Sequence, residues 1–185
     1  MSLFDLNNIE QKMKNTLYNL STNYQGIRTG RASTGLVDNI LVDAYGQKMK
    51  LKDLATVSVP EARTININVW DSNMIIAIEK AIQSSNLQLN PMTEGQLIRI
   101  NLPELTSERR IELAKSVKSL AEETKISLRN IRQDAMSLLK KANNEENIPE
   151  DEVKNLQDQI QKLTDNYVAK VNENCILKEE DIMKI

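Results

Sequence analysis

Residues 104–148 read ELTSERRIELAKSVKSLAEETKISLRNIRQDAMSLLKKANNEENI, a run of 45 positions without glycine or proline, bounded by Pro103 and Pro149. Such a run permits a very long helix, because glycine and proline are the residues that most often end one. Within it, small and apolar residues recur at alternating steps of three and four, which is heptad spacing. These positions are Ala114, Val117, Ala121, Thr124, Leu128, Ile131, Ala135, Leu138 and Ala142. The pattern predicts one helix over residues 107–143 with a narrow stripe that must be buried.

Two further segments carry a stripe of the same kind. Pro149 suits the first turn of a helix, and the residues that follow at helical spacing are Val153, Leu156, Ile160, Leu163, Tyr167 and Val171. The N-terminal stripe runs up to Gly30 and consists of Leu6, Ile9, Met13, Leu17, Leu20, Tyr24 and Ile27. A helix with one apolar stripe is not stable alone, so we expect the three to bury one another. We therefore predict an elongated three-helix bundle, domain I, built from residues 1–30 and 106–185.

The middle of the chain has the period of β-strands. Apolar and polar residues alternate over residues 64–69 and again over 98–102. Ile40 and Val42 lead to a turn at Gly46, and Asp71 or Ser72 can cap a helix with one apolar face. We predict that residues 31–105 form a small β/α/β domain, domain II, inserted into the bundle. The fold class is therefore α+β.

Two short connections join the predicted domains. Gly30 gives the first connection backbone freedom, and Pro103 marks the start of the second. Two short tethers at one end of a bundle would form a hinge. The predicted hinge residues are Thr29, Gly30, Arg31, Pro103, Glu104, Leu105 and Thr106.

Composition excludes several kinds of chemistry. The 185 residues include no histidine and one cysteine, which rules out histidine-dependent nucleophilic catalysis, a histidine metal ligand and a disulfide framework. Cys175 is expected to be a reduced thiol. No glycine-rich phosphate loop is present, so we expect no nucleotide cofactor. We also expect no metal and no enzymatic activity. Without an apolar run long enough to span a membrane, or an N-terminal signal, we expect a cytoplasmic monomer. The single Trp70, at the end of a strand, is expected to pack in the core.

The long helix segregates its charges by face. At about 100° per residue, four other cations fall within about 60° of Lys118, so that five share one stripe, while most of the acids lie on another face. The cations are Lys115, Lys118, Lys125, Arg129 and Arg132. One interpretation is a solvated face that also offers ion-pair partners to the acidic third helix. The other is a stripe that binds phosphates, and because no aromatic residue lies in it, it would bind by charge and shape rather than by base stacking.

Four arginines lie in or beside the predicted tethers. Arg28 can complement the C-terminal end of the first helix dipole, whereas Arg31 lies beyond that helix. Arg109 and Arg110 lie in the first turn of the long helix, where a cation is unfavourable. They therefore indicate either an external partner or a salt bridge to the inserted domain.

At a helix end, the string IRTGRAS at residues 27–33 resembles the signature of bacterial ribosome recycling factors. The likeness continues in chain order through short strings that begin at Val69, Glu79, Leu89, Leu102, Glu108 and Ser127. They read VWD, EKAI, LNP, LPELT, ERR and SLRNIR. The chain departs from the family pattern at three places. Gln133 stands where a second arginine is frequent, Gln88 stands where glycine is usual, and the turn near Gly46 lacks the prolines that are common there.

The resemblance implies an L-shaped, hinged protein of tRNA dimensions. Domain I would lie on large-subunit ribosomal RNA, and domain II would pivot toward the small subunit. Together with elongation factor G and GTP, such a factor separates the post-termination 70S ribosome into subunits, and messenger RNA and deacylated tRNA leave. The residues expected to contact ribosomal RNA of the 50S subunit are Arg28, Arg31, Arg110, Lys118, Lys125, Arg129 and Arg132.

Two other classes of protein share some of these features. A coiled-coil adaptor or chaperone would have the same apolar stripes, but it would not need a basic stripe or an inserted β domain. A carboxylate-metal hydrolase would need acids clustered in a cleft, and the sequence supplies no such cluster.

Overall fold

The computed structural model describes residues 4–85, 87, 89–146 and 148–184. Their α+β fold combines three long helices with a small set of antiparallel strands, which confirms the predicted class. The helices are α1 (Leu6–Gln25), α2 (Gly35–Asp38), α3 (Ile75–Gln83), α4 (Ser107–Glu146) and α5 (Glu150–Met183). The strands are β1 (Leu41–Ala44), β2 (Gln47–Lys50), β3 (Ala55–Glu61), β4 (Thr64–Val69), β5 (Pro91–Glu94) and β6 (Leu97–Asn101). Gln88 lies outside the described residues.

The chain divides into two compact units. The first consists of Met1–Thr22 and Ala114–Glu179, and the second of Asn23–Leu113 and Glu180–Ile185. The ends of α1, α4 and α5 thus belong to the same unit as the strands. The predicted division of residues 31–105 from residues 1–30 and 106–185 stays a prediction.

Three long helices form the first unit, and their predicted stripes supply its core. Fully or almost fully buried positions are Ile9, Met13, Leu20, Val117, Ala121, Leu128, Ala135, Ala142, Ile160, Tyr167 and Val171. The prediction is wrong for one stripe residue, Leu138, which is 41% exposed. Its neighbour Leu139 is buried instead. A straight helix drifts by about 20° per heptad from a strict seven-residue repeat, so over several heptads the buried side moves to the next residue.

The helix ends follow local rules. The amide of Val153 donates to the carbonyl of Pro149 over 3.1 Å, so α5 begins directly after the proline, as predicted. The hydroxyl of Thr106 accepts from the amide of Arg109 over 3.3 Å and caps α4. The first helix is shorter than its stripe, since α1 ends at Gln25 rather than near Gly30.

Two antiparallel sheets lie in the second unit. β1 and β2 form a hairpin, and the other strands form a four-stranded sheet in the order β3-β4-β6-β5. In the central pair, Ile65 faces Ile100 and Ile67 faces Ile98. All four side chains are fully buried, as are Ile78 and Ile82 on α3. The predicted alternation and the helix between the strands are confirmed.

The turn of the β1–β2 hairpin uses two residues in the left-handed region. Tyr45 has φ 52° and Gly46 has φ 78°, as a two-residue turn of type I′ requires. The hydroxyl of Tyr45 donates to Oδ2 of Asp71 over 2.7 Å, which ties the turn to the segment before α3.

Trp70 does not pack in the core. Its side chain is 62% exposed, and its indole N–H donates to the hydroxyl of Thr56 over 2.9 Å. The preceding strand buries Ile65, Ile67 and Val69, so the period of two directs residue 70 to the opposite, solvent-facing side.

In the described part of the chain, no helix combines the length and the apolar character needed to cross a membrane.

Candidate functional site

The two predicted tethers are hydrogen-bonded to one loop of the second unit. The amide of Ala32, after the first tether, donates to the carbonyl of Ala62 over 2.7 Å. The amide of Leu102, before the second tether, donates to the carbonyl of Arg63 over 2.8 Å. Arg63 also forms a 2.7 Å ion pair with Glu104. Both tethers are therefore attached at the β3–β4 turn, although 70 positions separate the two donor amides in the sequence.

Arg28 connects the tethers directly. Its Nη2 atom donates to the carbonyl of Pro103, while its Nε atom is buried without a hydrogen-bond partner among the described residues. Burial, and secondly the positive charge of Arg109, lower the pKa of Arg28 from its ordinary value. Arg28 is therefore half-buried and bound to the second tether, which differs from a fully exposed RNA-facing cation.

Arg109 and Arg110 also have partners within the second unit. Arg109 pairs with Glu112 of its own helix over 2.8 Å, rather than with an acid of the inserted domain. The Nη1 atom of Arg110 donates to the carbonyl of Ile182, and also to that of Lys184 over 2.7 Å. Carbonyls at a helix C-terminus carry partial negative charge, so Arg110 satisfies the end of α5.

Arg31 lies in a cleft of the second unit. The cleft has a volume of about 630 Å³. It is lined by residues 29–33, which include Arg31, by Ala62, by Arg110 and by three further charged side chains. These three are Arg63, Asp181 and Lys184. The structure thus places two predicted cations, Arg31 and Arg110, beside two that sequence reasoning missed, Arg63 and Lys184. The sequence gives no signal for this cleft, because its lining comes from four distant segments.

The first unit contains the four other predicted cations, all on α4. Lys118 pairs with Glu179 of α5 over 3.4 Å, and Nη1 of Arg132 donates to the side-chain oxygen of Gln161 over 3.1 Å. These contacts fit the interpretation in which the stripe offers partners to the third helix.

The remaining two cations of this group differ in exposure. Lys125 pairs with Glu122 over 2.6 Å, and its side chain is only 16% exposed. Arg129 is exposed and makes no ion pair or hydrogen bond through its side chain with any residue that the structure describes. Arg129 is therefore, among the four α4 cations predicted to contact RNA, the one most available to an external anion.

In the described ranges, no group of three or more cysteine, aspartate or glutamate side chains is placed so that it could hold a metal ion.

Comparison with known proteins identifies the family of this chain. Its sequence matches the family described as Ribosome recycling factor over residues 20–183. The chain belongs to the ribosome recycling factor family. Members of this family are translation factors rather than enzymes, and the resemblance of the IRTGRAS string to ribosome recycling factors is confirmed.

Individual ribosome recycling factors match over nearly the whole chain. The protein of Rickettsia peacockii (strain Rustic) is 48% identical over 178 residues, which cover 96% of both chains. That of Rickettsia akari (strain Hartford) is 49% identical over 177 residues, covering 96% of this chain and 95% of the relative.

Two solved structures of the family are also similar. A ribosome recycling factor in solution has a TM-score of 0.74 and 42% identity, with 96% of this chain and 94% of that chain covered. The second is T. thermophilus ribosome recycling factor, bound with E. coli elongation factor G to the E. coli post-termination complex. It has a TM-score of 0.65 and 41% identity, with 96% of each chain covered.

Proposed function

We propose that this chain binds the post-termination 70S ribosome through large-subunit ribosomal RNA. Together with elongation factor G and GTP, it promotes separation into subunits and release of messenger RNA and deacylated tRNA. The observation that carries the proposal is the likeness, over 96% of each chain, to a factor bound with elongation factor G to a post-termination complex. The site of action would be the cytoplasm.

The distribution of positive charge on this protein supports binding to RNA. The whole chain has a net charge of −2, so attraction to RNA must come from local groups of cations. Arg129 on α4 and Arg31 in the cleft are the predicted contacts with the fewest internal partners, and both are exposed. We assign them the largest phosphate contributions.

The other predicted contacts have internal partners but keep further donors. Lys118 remains 65% exposed beside Glu179, and Arg132 uses one of its nitrogens on Gln161. A guanidinium has five N–H donors, so Arg132 can contact a phosphate without leaving Gln161. Lys125 is largely covered, and Arg28 and Arg110 are engaged by carbonyls, so we assign these three smaller roles.

The hinge belongs to the same proposal. Residues 29–31 and 103–106 would let domain II move, and the energy would come from the GTP of elongation factor G. Gly30 supports this role, because a glycine gives the first tether backbone freedom.

Light scattering of post-termination 70S complexes tests the function. Complexes with this protein, elongation factor G and GTP should lose scattering as subunits separate. Arg132→Ala should reduce that loss, because it removes a stripe cation. Arg99→Ala removes an arginine on β6 that, like Arg132, is partly buried, and it serves as the control. Circular dichroism would establish that both variants are folded.

Two outcomes would contradict the proposal. If the wild-type protein binds ribosomes tightly but gives no splitting with a cognate elongation factor, it is not a recycling factor in activity. If it ignores ribosomes at moderate salt, the helical adaptor or chaperone is the better interpretation.

A further inference from the structure

The cleft of the second unit carries an imbalance of charge. Among its described lining residues, Arg31, Arg63, Arg110 and Lys184 are cations, whereas Asp181 is the one carboxylate. The chain as a whole is slightly acidic, so this concentration of positive charge is a local feature. Four like charges around one cleft repel one another unless an anion lies among them.

The ion pairs near the cleft do not remove that imbalance. Lys184 pairs with Asp181 over 3.0 Å, and Arg63 pairs with Glu104 over 2.7 Å. Among the described residues, the side chain of Arg110 donates only to backbone carbonyls, which carry no net charge. Arg31 is exposed and has no carboxylate within ion-pair distance among the residues that the structure describes. Arg31 and Arg110 therefore lack a neutralising carboxylate, but Arg110 is already engaged by carbonyls. Arg63 pairs with Glu104 through one nitrogen while its side chain stays 53% exposed, so its other donors remain open to a ligand.

The lining also offers neutral hydrogen-bonding groups. Thr29 and Ser33 contribute hydroxyls beside the arginines, and Gly30 keeps the wall between them free of a side chain. A volume of about 630 Å³ is much larger than a bare phosphate ion needs and falls in the range of small-molecule sites. Arginine forks match the paired oxygens of a phosphate, and hydroxyls complete its hydrogen bonds.

We propose that this cleft binds the phosphodiester group of an RNA nucleotide, with Arg31 and Arg63 as its main charge partners. The inference deepens the proposed function and rests on it for the source of the RNA. It adds Arg63 and Lys184 to the RNA-binding residues and makes the tether segment a second contact, separate from the α4 stripe.

The test uses the full chain without ribosomes. A uridine dinucleotide with a phosphodiester link is titrated into isotope-labelled protein, and amide shifts are followed by NMR. Resonances of Gly30 and Ser33 should shift at lower dinucleotide concentration than those of the α4 stripe around Arg129. The same dinucleotide with an uncharged methylphosphonate link should give no such shifts, and inorganic phosphate should bind more weakly than the dinucleotide.

Matched arginine variants locate the contact. Arg63→Gln should weaken dinucleotide binding by about two- to fivefold, the range of one partly exposed charge contact. Arg99→Gln is the control, since Arg99 is also partly exposed and lies near a glutamate, but outside the cleft. Arg31→Gln should weaken binding at least as much as Arg63→Gln.

Three results would overturn the inference. They are equal binding of the methylphosphonate, equal effects of Arg63→Gln and Arg99→Gln, and dinucleotide binding no tighter than that of inorganic phosphate. Because the titration contains no ribosome, its failure leaves the light-scattering test of subunit splitting to decide the proposed function separately.

Discussion

Arg28 donates a hydrogen bond from Nη2 to the carbonyl oxygen of Pro103, which lies 75 positions later in the chain. The bond joins the end of α1 to the segment that returns from β6 to α4. Arg28 also lies close enough to Arg109 for the second charge to lower its pKa. A residue that looks like an RNA contact in the sequence thus has a structural partner in the fold.

Replacing Arg28 should mainly affect the stability of the second unit. Arg28→Ala removes the bond to Pro103 and should lower the free energy of unfolding by about 1 kcal/mol, a typical value for one net hydrogen bond. Urea unfolding measures the change, and amide exchange of Leu102 should become faster. Arg129→Ala is the matched control and should leave both quantities unchanged. An Arg28→Ala protein with wild-type stability and weaker 50S binding would instead assign Arg28 to RNA.

Replacing Arg129 should affect ribosome binding without affecting the fold. Arg129 is exposed and has no internal side-chain partner among the described residues, so Arg129→Ala should retain the wild-type melting temperature. Binding to 50S subunits should weaken, and the slope of log K against log salt concentration should fall by about one contact. Filter binding at several salt concentrations gives that slope. An unchanged slope would remove Arg129 from the interface.

Gly35 has a steric role at the start of α2. A Cβ atom at this position would lie 2.9 Å from Cβ of Gln25, an atom that cannot move without the backbone of α1. Gly35→Ala should therefore destabilise the protein by about 1–2 kcal/mol through overpacking. Gly26→Ala is the control, because its Cβ would meet only the carbonyl oxygen of Asn23, at 3.5 Å. Thermal unfolding that ranks the two variants equally would contradict this account.

The bond between Tyr45 and Asp71 gives a pH-dependent prediction. The Tyr45 hydroxyl, followed by the amide of Asn73, lowers the pKa of the Asp71 carboxyl. The same bond, followed by desolvation and by the negative charge of Asp71, raises the pKa of Tyr45. Tyr45→Phe should move the pKa of Asp71 back toward its ordinary value of about 4, as measured by carbon NMR of the carboxyl group. Tyr18→Phe, on the exposed face of α1, should leave it unchanged.

The sign of the stability change follows from the two shifts. Asp71 has a lowered pKa in the folded state, so its contribution is present above its unfolded pKa and lost as pH falls through the folded value. Tyr45 has a raised pKa, so its contribution is present below its unfolded pKa of about 10 and lost as pH rises through the folded value. Wild type and Tyr45→Phe should therefore differ most between about pH 5 and pH 9, and a constant difference down to pH 2 would contradict the assignment.

Much of the fold could be predicted because local patterns agree with it. The heptad stripe of α4, the start of α5 after Pro149 and the alternation in β4 and β6 are properties of a few neighbouring residues. The errors lie where a local pattern is extended too far. The heptad repeat predicts that Leu138 is buried, but a straight helix does not keep this repeat over 40 residues. The position of Trp70 after an apolar strand predicts that it is buried, but its side chain is exposed.

The sequence alone is enough to predict the fold class, the long helices and the family, because helix and strand periods and the IRTGRAS string are patterns of neighbouring residues. It also placed the cations of α4 on one face, since helix geometry fixes that face. Tertiary packing, by contrast, sets which of these cations already have internal partners and which stay open to an external phosphate. Ion pairs and hydrogen bonds join residues far apart in the chain: Lys118 meets Glu179, Arg110 meets the end of α5, and Arg63 joins Arg31 in one cleft. No local pattern records such pairings, because they arise when distant segments are packed together.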